Sequence, residues 1–337
     1  MDFFVQSGPT SKAPTDSYVL NNKYTGRILA LVQGFFFAIL LVACNSKGSK
    51  YTDTPTTGNI SIGVDESFQP LIQAEVDAFM ANYKYANIRP LYQTEGEVVK
   101  LLLADSVRLI VITRQLTNQE KAFFQEKKIT PRTLKIATDA VAIIVNAANP
   151  DSLLTVDQLT AIFKGDVRKW SGLGGKGLDQ DISIVFDNSN SSNLSYIKNK
   201  FSLSDSLDNR IYAAKSNQQV IEYVEKTPRA LGVIGVNWIS DTEDDPKQKD
   251  FTNRVRVVAI ADTTNPTEDD YNKPYQAYLA LKKYPLHRDL YIISREARTG
   301  LGTGFASFVA GDKGQLVVLK GGLLPATMPI RLVELTK

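Results

Sequence analysis

Residues 138–170 read TDAVAIIVNAANPDSLLTVDQLTAIFKGDVRKW. The apolar run Val141–Val145 is long enough for one buried strand and too short for a helix. After the turn residues around Pro150, Thr155 opens an amphipathic helix, VDQLTAIF, that ends at Lys164-Gly165. Working outward toward the C-terminus, the same alternation continues. ISIVF (182–186) is a strand, Leu194–Phe201 a helix, and Ser216 caps a helix, NQQVIEYVEK, that Thr227-Pro228 stops. LGVIGV (231–236) and RVRVVAI (254–260) follow as strands. Working back, ISIGV (60–64), Ile88–Tyr92 and RLIVIT (108–113) are strands. They are separated by helices at Pro70–Tyr83 and Glu97–Leu103, and Thr117–Glu126 forms another helix. Short strands alternating with helices of this length predict right-handed βαβ units and an α/β fold with mixed, mostly parallel sheets. Beyond an acidic stretch (Asp262–Pro274), YQAYLAL (275–281) and RDLYII (288–293) read as strands and Phe305–Ala310 as a helix. Gln315–Val318 and a Gly-Gly pair lead to a terminal strand.

The chain has 337 residues, 43% hydrophobic and 22% charged, an ordinary globular composition. A net charge of +3 and the lack of any long basic run argue against a nucleic-acid partner. Residues 28–43, ILALVQGFFFAILLVA, follow Lys12, Lys23 and Arg27. A positive segment followed by a short apolar one is a secretory signal, here 1–43. The run is shorter than the roughly 20 residues a stable span needs. It ends in Leu41-Val42-Ala43-Cys44, which resembles a bacterial lipobox. That resemblance implies cleavage before Cys44, lipidation of this single cysteine and, with Asn45 next, the periplasmic side of the outer membrane. An uncleaved anchor is the alternative, and either tethers the same exported domain through 44–57, a polar stretch without periodicity. One cysteine allows no disulfide within the chain.

Several segments resemble the phosphate-binding, solute-binding proteins of ABC transporters. These are 138–150, 154–170, TPRALGVIGVNW (227–238), YPLHRDLYI (284–292) and GFASFVAGDKGQLVVLKGGLLP (304–325), in that family's order. The resemblance implies a two-lobed periplasmic-binding-protein fold (type II) with a two-stranded hinge. Lobe one would comprise 58–137 plus 285–337 and lobe two 138–284. It also implies that the protein captures phosphate or a related small oxyanion in the cleft and passes it to a transporter permease. The alternative is an envelope scaffold that keeps the fold without binding phosphate.

Anions bind at helix N-termini because free N–H groups and the helix dipole point at them. By the resemblance, Ser67 with Phe68, Thr113-Arg114, and Ser191 with Ser192 fall in the family's ligand loops, and Glu95, Arg108, Asp187 and Asn190 would line the cleft. Each has a plainer reading. The serines can be N-caps, Phe68 can be core, and Arg108 and Arg114 can be charges paired with Glu95 and Asp187. The sequence departs from the family at Phe186, where an arginine is expected, at Ser189 and Ser191, where glycines are, and at Arg108, where a proton-accepting aspartate is. An arginine cannot accept a ligand's proton, so that route to excluding sulfate is not expected.

His287 is the one histidine. With Cys44 lipidated, nothing suggests a transition-metal site or a cofactor, and no nucleophile–base pair suggests an enzyme. The glycines of TGLGTGF (299–305) lack the lysine of a P-loop and read as a turn before the last helix. Trp170 and Trp238 are expected to pack in lobe two.

Overall fold

The computed structural model describes residues 53–174, 178–204, 211–240 and 255–328. The signal segment, Cys44 and most of the tether lie outside them. Among the described residues no helix is long and apolar enough to cross a membrane.

The first lobe begins with β1 (Thr57–Asp65), then α1 (Gln69–Asn82), β2 (Tyr85–Gln93), α2 (Glu95–Leu103) and β3 (Leu109–Ile112). Both β2 and β3 pair parallel to β1. Every residue of β3 is buried, which explains its unbroken apolar run. Helix α1 covers one face with Leu71, Ile72, Val76 and Phe79. Helix α2 buries Val98, Val99 and Leu102 in a separate cluster with Ile110 and Ile112. Helix α3 (Asn118–Glu126) starts at a capping box in which Thr117 and Glu120 satisfy each other's free backbone N–H.

The chain crosses to the second lobe on β4 (Arg132–Asn146), a 15-residue strand whose two parts pair with different strands. Its first part, to Ala140, pairs antiparallel with β11 (His287–Ser294); its second part, from Val141, pairs with β8 (Ala230–Gly235). Among the described residues ten strands form one curled sheet: eight follow the path β2-β1-β3-β11-β4-β8-β6-β7, and two short strands described below pair with β4 off that path. Here β6 is Ser183–Phe186 and β7 Ile211–Ala213, both parallel within the second lobe. The two strands joining the lobes are therefore β4 and β11. Between them in sequence lie β5 (Leu153–Thr155), α4 (Val156–Lys164), α5 (Ser192–Lys200) and α6 (Asn217–Lys226). Helix α4 starts at the expected Thr155, again in a capping box, and stops at Gly165 with φ 86°. A glycine there takes the left-handed conformation without steric cost.

Three expectations are corrected. YQAYLAL is not a strand: Gln276–Ala280 is a short helix (α7). Pro274 precedes it, Leu279 is its buried residue, and the Gln276 amide donates to the carbonyls of Leu319 and Leu323. RVRVVAI is two strands. Val255–Val257 (β9) pairs with β4, and Ala259–Ala261 (β10) pairs with β5 in a separate parallel sheet, so the chain changes partner at Val258. The glycine run is no turn: α8 starts at Leu301 and includes Gly302 and Gly304. Residues 315–318 lie in α9 (Asp312–Lys320), which packs on α8 and α1 before the two-residue strand β12 (Leu324–Pro325). Packing outweighs the β-branched valines there.

The glycines of α8 allow a close approach. A Cβ at Gly304 would stand 1.8 Å from the Pro55 carbonyl oxygen. Gly304→Ala must push the segment before β1 off the helix and should cost roughly 1–3 kcal/mol. Thermal unfolding checks this; an unchanged midpoint would mean that residues 53–56 contribute nothing to stability.

Candidate functional site

The loop after β1 approaches the second lobe. Asp65 ends the strand, and its Oδ1 accepts the Ser67 backbone N–H at 3.1 Å. This tightens a 3-10 turn (Glu66–Phe68) into the start of α1, where Pro70 occupies the first turn. Ser67 is fully buried. Its hydroxyl lies 3.2 Å from the Ser192 hydroxyl and 3.4 Å from Asp187 Oδ2. Its carbonyl accepts from Asn237 Nδ2 at 3.1 Å and Trp238 Nε1 at 2.8 Å. Trp238 thus packs against the second-lobe cluster, as expected, and also holds the first-lobe loop. Trp170 is fully buried and donates to the Arg229 carbonyl.

In the second lobe, Asp187 follows β6 directly. Its Oδ2 accepts from Asn193 Nδ2 at 3.2 Å and Asn217 Nδ2 at 3.0 Å. Asn193 and Asn217 stand in the first turns of α5 and α6, so two helix N-termini converge on this carboxylate. Ser191 is the N-cap of α5, accepting the Leu194 N–H at 3.1 Å. Its capping role and its place in the site coexist.

The hinge supplies the cation. Arg288 on β11 stands directly opposite Asp139 on β4. Its Nε donates to Asp139 Oδ2 at 2.8 Å, Nη1 to Ser192 Oγ at 3.3 Å and Nη2 to Asn193 Oδ1 at 2.8 Å. The guanidinium carbon lies 5.2 Å from the Phe68 ring centre and 5.8 Å from that of Tyr196. The Phe68 side chain is fully buried against this charge.

Burial dominates the electrostatics. It pushes the Asp65 carboxyl up to about 7, aided by the Glu95 charge and opposed by Arg288. Burial raises Asp187 and Asp139 as well. It also raises Glu66, with Asp187 adding repulsion. Burial opposes the charge of Arg288, but Asp139 and then Asp65 hold its pKa above the ordinary value. Asp65 Oδ2, Asp139 Oδ1 and Asp187 Oδ1 are buried without a hydrogen-bond partner among the described residues. Such atoms are costly unless something pairs with them.

Glu95, Thr113 and Arg114 form a neighbouring group. Glu95 Oε2 accepts the Thr113 N–H at 2.9 Å and its hydroxyl at 2.6 Å, and Oε1 accepts Arg114 Nε at 3.1 Å. Arg114 also grips Glu120 with both terminal nitrogens, at 2.8 and 2.9 Å. Its guanidinium therefore fastens the start of α3 to the end of β3. Arg108 is not brought to either group. It precedes β3 at the end opposite Thr113, and its Cβ lies 3.5 Å from where a Cβ on Gly302 would stand. Asn190 is exposed in the turn before α5. Asp65, Asp139, Asn193, Asn217 and Arg288 are absent from the residues singled out by sequence. Asp139 and Arg288 each border an apolar run, but Arg132 and Lys135 share β4 and Asp289 shares β11, so charge alone does not single them out.

The PBP superfamily domain matches residues 49–313. The chain belongs to that superfamily. Its relatives include the phosphate-binding protein PstS of Pseudomonas aeruginosa, 24% identical over 295 residues, covering 82% of this chain and 85% of the relative. PstS of Bacillus subtilis is 22% identical over 308 residues, covering 89% and 94%. Among solved structures, a putative phosphate ABC transporter substrate-binding protein from Clostridium perfringens, with bound phosphate, superposes with TM-score 0.67 at 21% identity. The match covers 80% of this chain and 100% of that one. An ABC-type phosphate transport receptor from Vibrio cholerae gives TM-score 0.59 at 20% identity, with 80% and 100% covered. At these identities the structural likeness establishes the two-lobed fold, and the ligand has to be argued from the site.

Proposed function

We propose that this protein is an exported solute-binding protein that takes phosphate or a related small oxyanion between its lobes and delivers it to a membrane permease. One observation carries the reading. Hydroxyls from opposite lobes, Ser67 just before α1 and Ser192 in the first turn of α5, meet at 3.2 Å beside the Arg288 guanidinium. Hydroxyl donors, helix N-termini and a buried guanidinium are the groups that bind a tetrahedral oxyanion. Because the donors come from both lobes, a ligand among them favours closure about β4 and β11. The named ligand of the relatives supports the same class. The lobe boundaries near 138 and 285 fall where β4 changes partner and just before β11 begins, which suits a hinge there. Lipid anchoring at Cys44, facing the periplasm from the outer membrane, completes the proposal.

Position 108 offers no proton acceptor, but the site has one elsewhere. Asp65 Oδ2, which has no partner within hydrogen-bond distance among the described residues, can accept the O–H of a protonated oxyanion. Sulfate has no such hydrogen at neutral pH, so phosphate is the preferred ligand.

The test is thermal unfolding of residues 45–337 with phosphate, sulfate and other small anions added separately. A ligand at 100 times its dissociation constant adds about 2.7 kcal/mol, which raises the midpoint visibly. Phosphate should raise it well above sulfate. A flat response to every anion would sink the receptor reading in favour of an envelope scaffold.

A further inference from the structure

The family loop that carries an arginine has Phe186 here, and that side chain is only 1% exposed, its ring tilted against Phe163. Position 186 therefore belongs to the core of the second lobe and cannot meet a ligand. The charge that an anion needs must come from elsewhere. Arg114 is held by two carboxylates, Glu95 and Glu120. Arg108 is at the far end of β3. We propose that Arg288, carried on the hinge strand β11, is the residue that holds the negative charge of the ligand. This deepens the oxyanion reading and rests on it.

Four features support the assignment. The Arg288 side chain is 4% exposed, and its ion-pair partner Asp139 is fully buried. Burying both ions costs several kcal/mol that their attraction repays only with excellent geometry and further hydrogen bonds. Second, among the described residues three of the five guanidinium N–H groups have a partner, Asp139, Ser192 and Asn193, which leaves two. Third, the fixed and loose contacts divide in a telling way. The bonds that orient Arg288, to Asp139 and Asn193, are 2.8 Å. Those between Ser192 and Arg288, Ser67 and Ser192, and Ser67 and Asp187 are 3.2–3.4 Å. O–H···O bonds are ordinarily about 2.7–2.8 Å and N–H···O bonds about 2.9–3.0 Å, so all three contacts are long, and an oxygen placed among these hydroxyls replaces weak contacts and keeps strong ones.

Finally, the location has a mechanical consequence. The pair Arg288–Asp139 joins the two strands about which the lobes close, and the guanidinium reaches the N-terminus of α5 in the second lobe. The hydroxyl that completes the group, Ser67, belongs to the first. A ligand held by Arg288 therefore sits on the hinge itself and draws one hydroxyl from each side. A loop arginine would instead move with one lobe. The aromatic faces of Phe68 and Tyr196 flank the guanidinium and keep water from it.

The experiment is calorimetric titration of residues 45–337 with inorganic phosphate and, in parallel, sulfate. Wild type is compared with R288K, with the double variant R288Q/D139N, which removes both buried charges together, and with R114Q. Circular dichroism confirms folding, and R288M/D139L stands in if the amide pair does not fold. The charge-free double variant should lose at least about 100-fold in phosphate affinity, the scale of a charge-assisted hydrogen bond pair. R288K should restore binding to within about 10-fold of wild type. A merely structural role predicts no such rescue, because Lys cannot reproduce the three-way bonding to Asp139, Ser192 and Asn193. Phosphate binding by the folded double variant within about twofold of wild type would overturn the assignment. So would loss of binding in R114Q with the double variant unaffected. If wild type binds none of the anions, the oxyanion reading itself fails, an outcome separate from either.

Discussion

Replacing Glu75 by Met should stabilise the protein at pH 7 by about 3 kcal/mol and flatten its stability between pH 5 and 9. Glu75 occupies the buried face of α1, between Ile72 and Phe79, and is fully buried. Neither carboxyl oxygen has a hydrogen-bond partner among the described residues. Burial alone pushes its pKa up to about 9 from 4.5. The folded protein therefore keeps a proton that the unfolded chain releases above pH 4.5. Stability is fully present below that pH and falls as pH rises toward 9. At pH 7 the loss is about 2.5 pH units, near 1.4 kcal/mol each. Met has similar length, no charge and no proton to bind. Urea unfolding of Glu75→Met and wild type at pH 5, 7 and 9 gives the comparison. The gain should be small at pH 5 and largest at pH 9. Asp65 has the same sign and the same direction of change, but it is common to both proteins and cancels. A destabilised variant with an unchanged pH slope would show that the carboxyl has a partner in the folded state.

The sequence carried the alternation of strands and helices well, because buried strands such as Leu109–Ile112 and amphipathic helices such as Val156–Lys164 have unmistakable periods. Helix starts were legible where a hydroxyl residue caps them, as at Thr155, Ser191 and Ser216. The same chemistry pointed to Ser67, Ser191 and Ser192, since a hydroxyl suited to a cap is suited to an anion. What failed was local reading of β-branched or alternating runs. Residues 275–281 alternate like a strand, yet Gln276 finds its acceptors on the turn after α9, a contact set by tertiary packing. The site was only half visible for a related reason. Arg288 and Asp139 are 149 residues apart, and only the hinge register sets them face to face. Arg114 illustrates the converse. Its position beside Thr113 suggested a ligand contact, while the two glutamates that occupy it are 6 and 19 residues away.

That register makes the hinge pair the most sensitive point in the molecule. Asp139→Ala should cost about 3–5 kcal/mol, because it leaves the Arg288 charge buried with Ser192 and Asn193 as its hydrogen-bond partners and no paired carboxylate. Removing both charges is a different change. R288M/D139L replaces the pair with apolar side chains between hinge strands that are otherwise apolar on this face, and should recover most of that loss, ending near or above wild-type stability. The two results are read together in urea unfolding at pH 7, where the single variant's loss should exceed the double variant's by several kcal/mol. Equal losses in both would mean that the pair contributes through packing at β4 and β11. Recovery in the double variant would mean that stability does not require these charges. The fold would then tolerate an uncharged hinge, and the cost of burying Arg288 and Asp139 would be explained by the anion they help to hold.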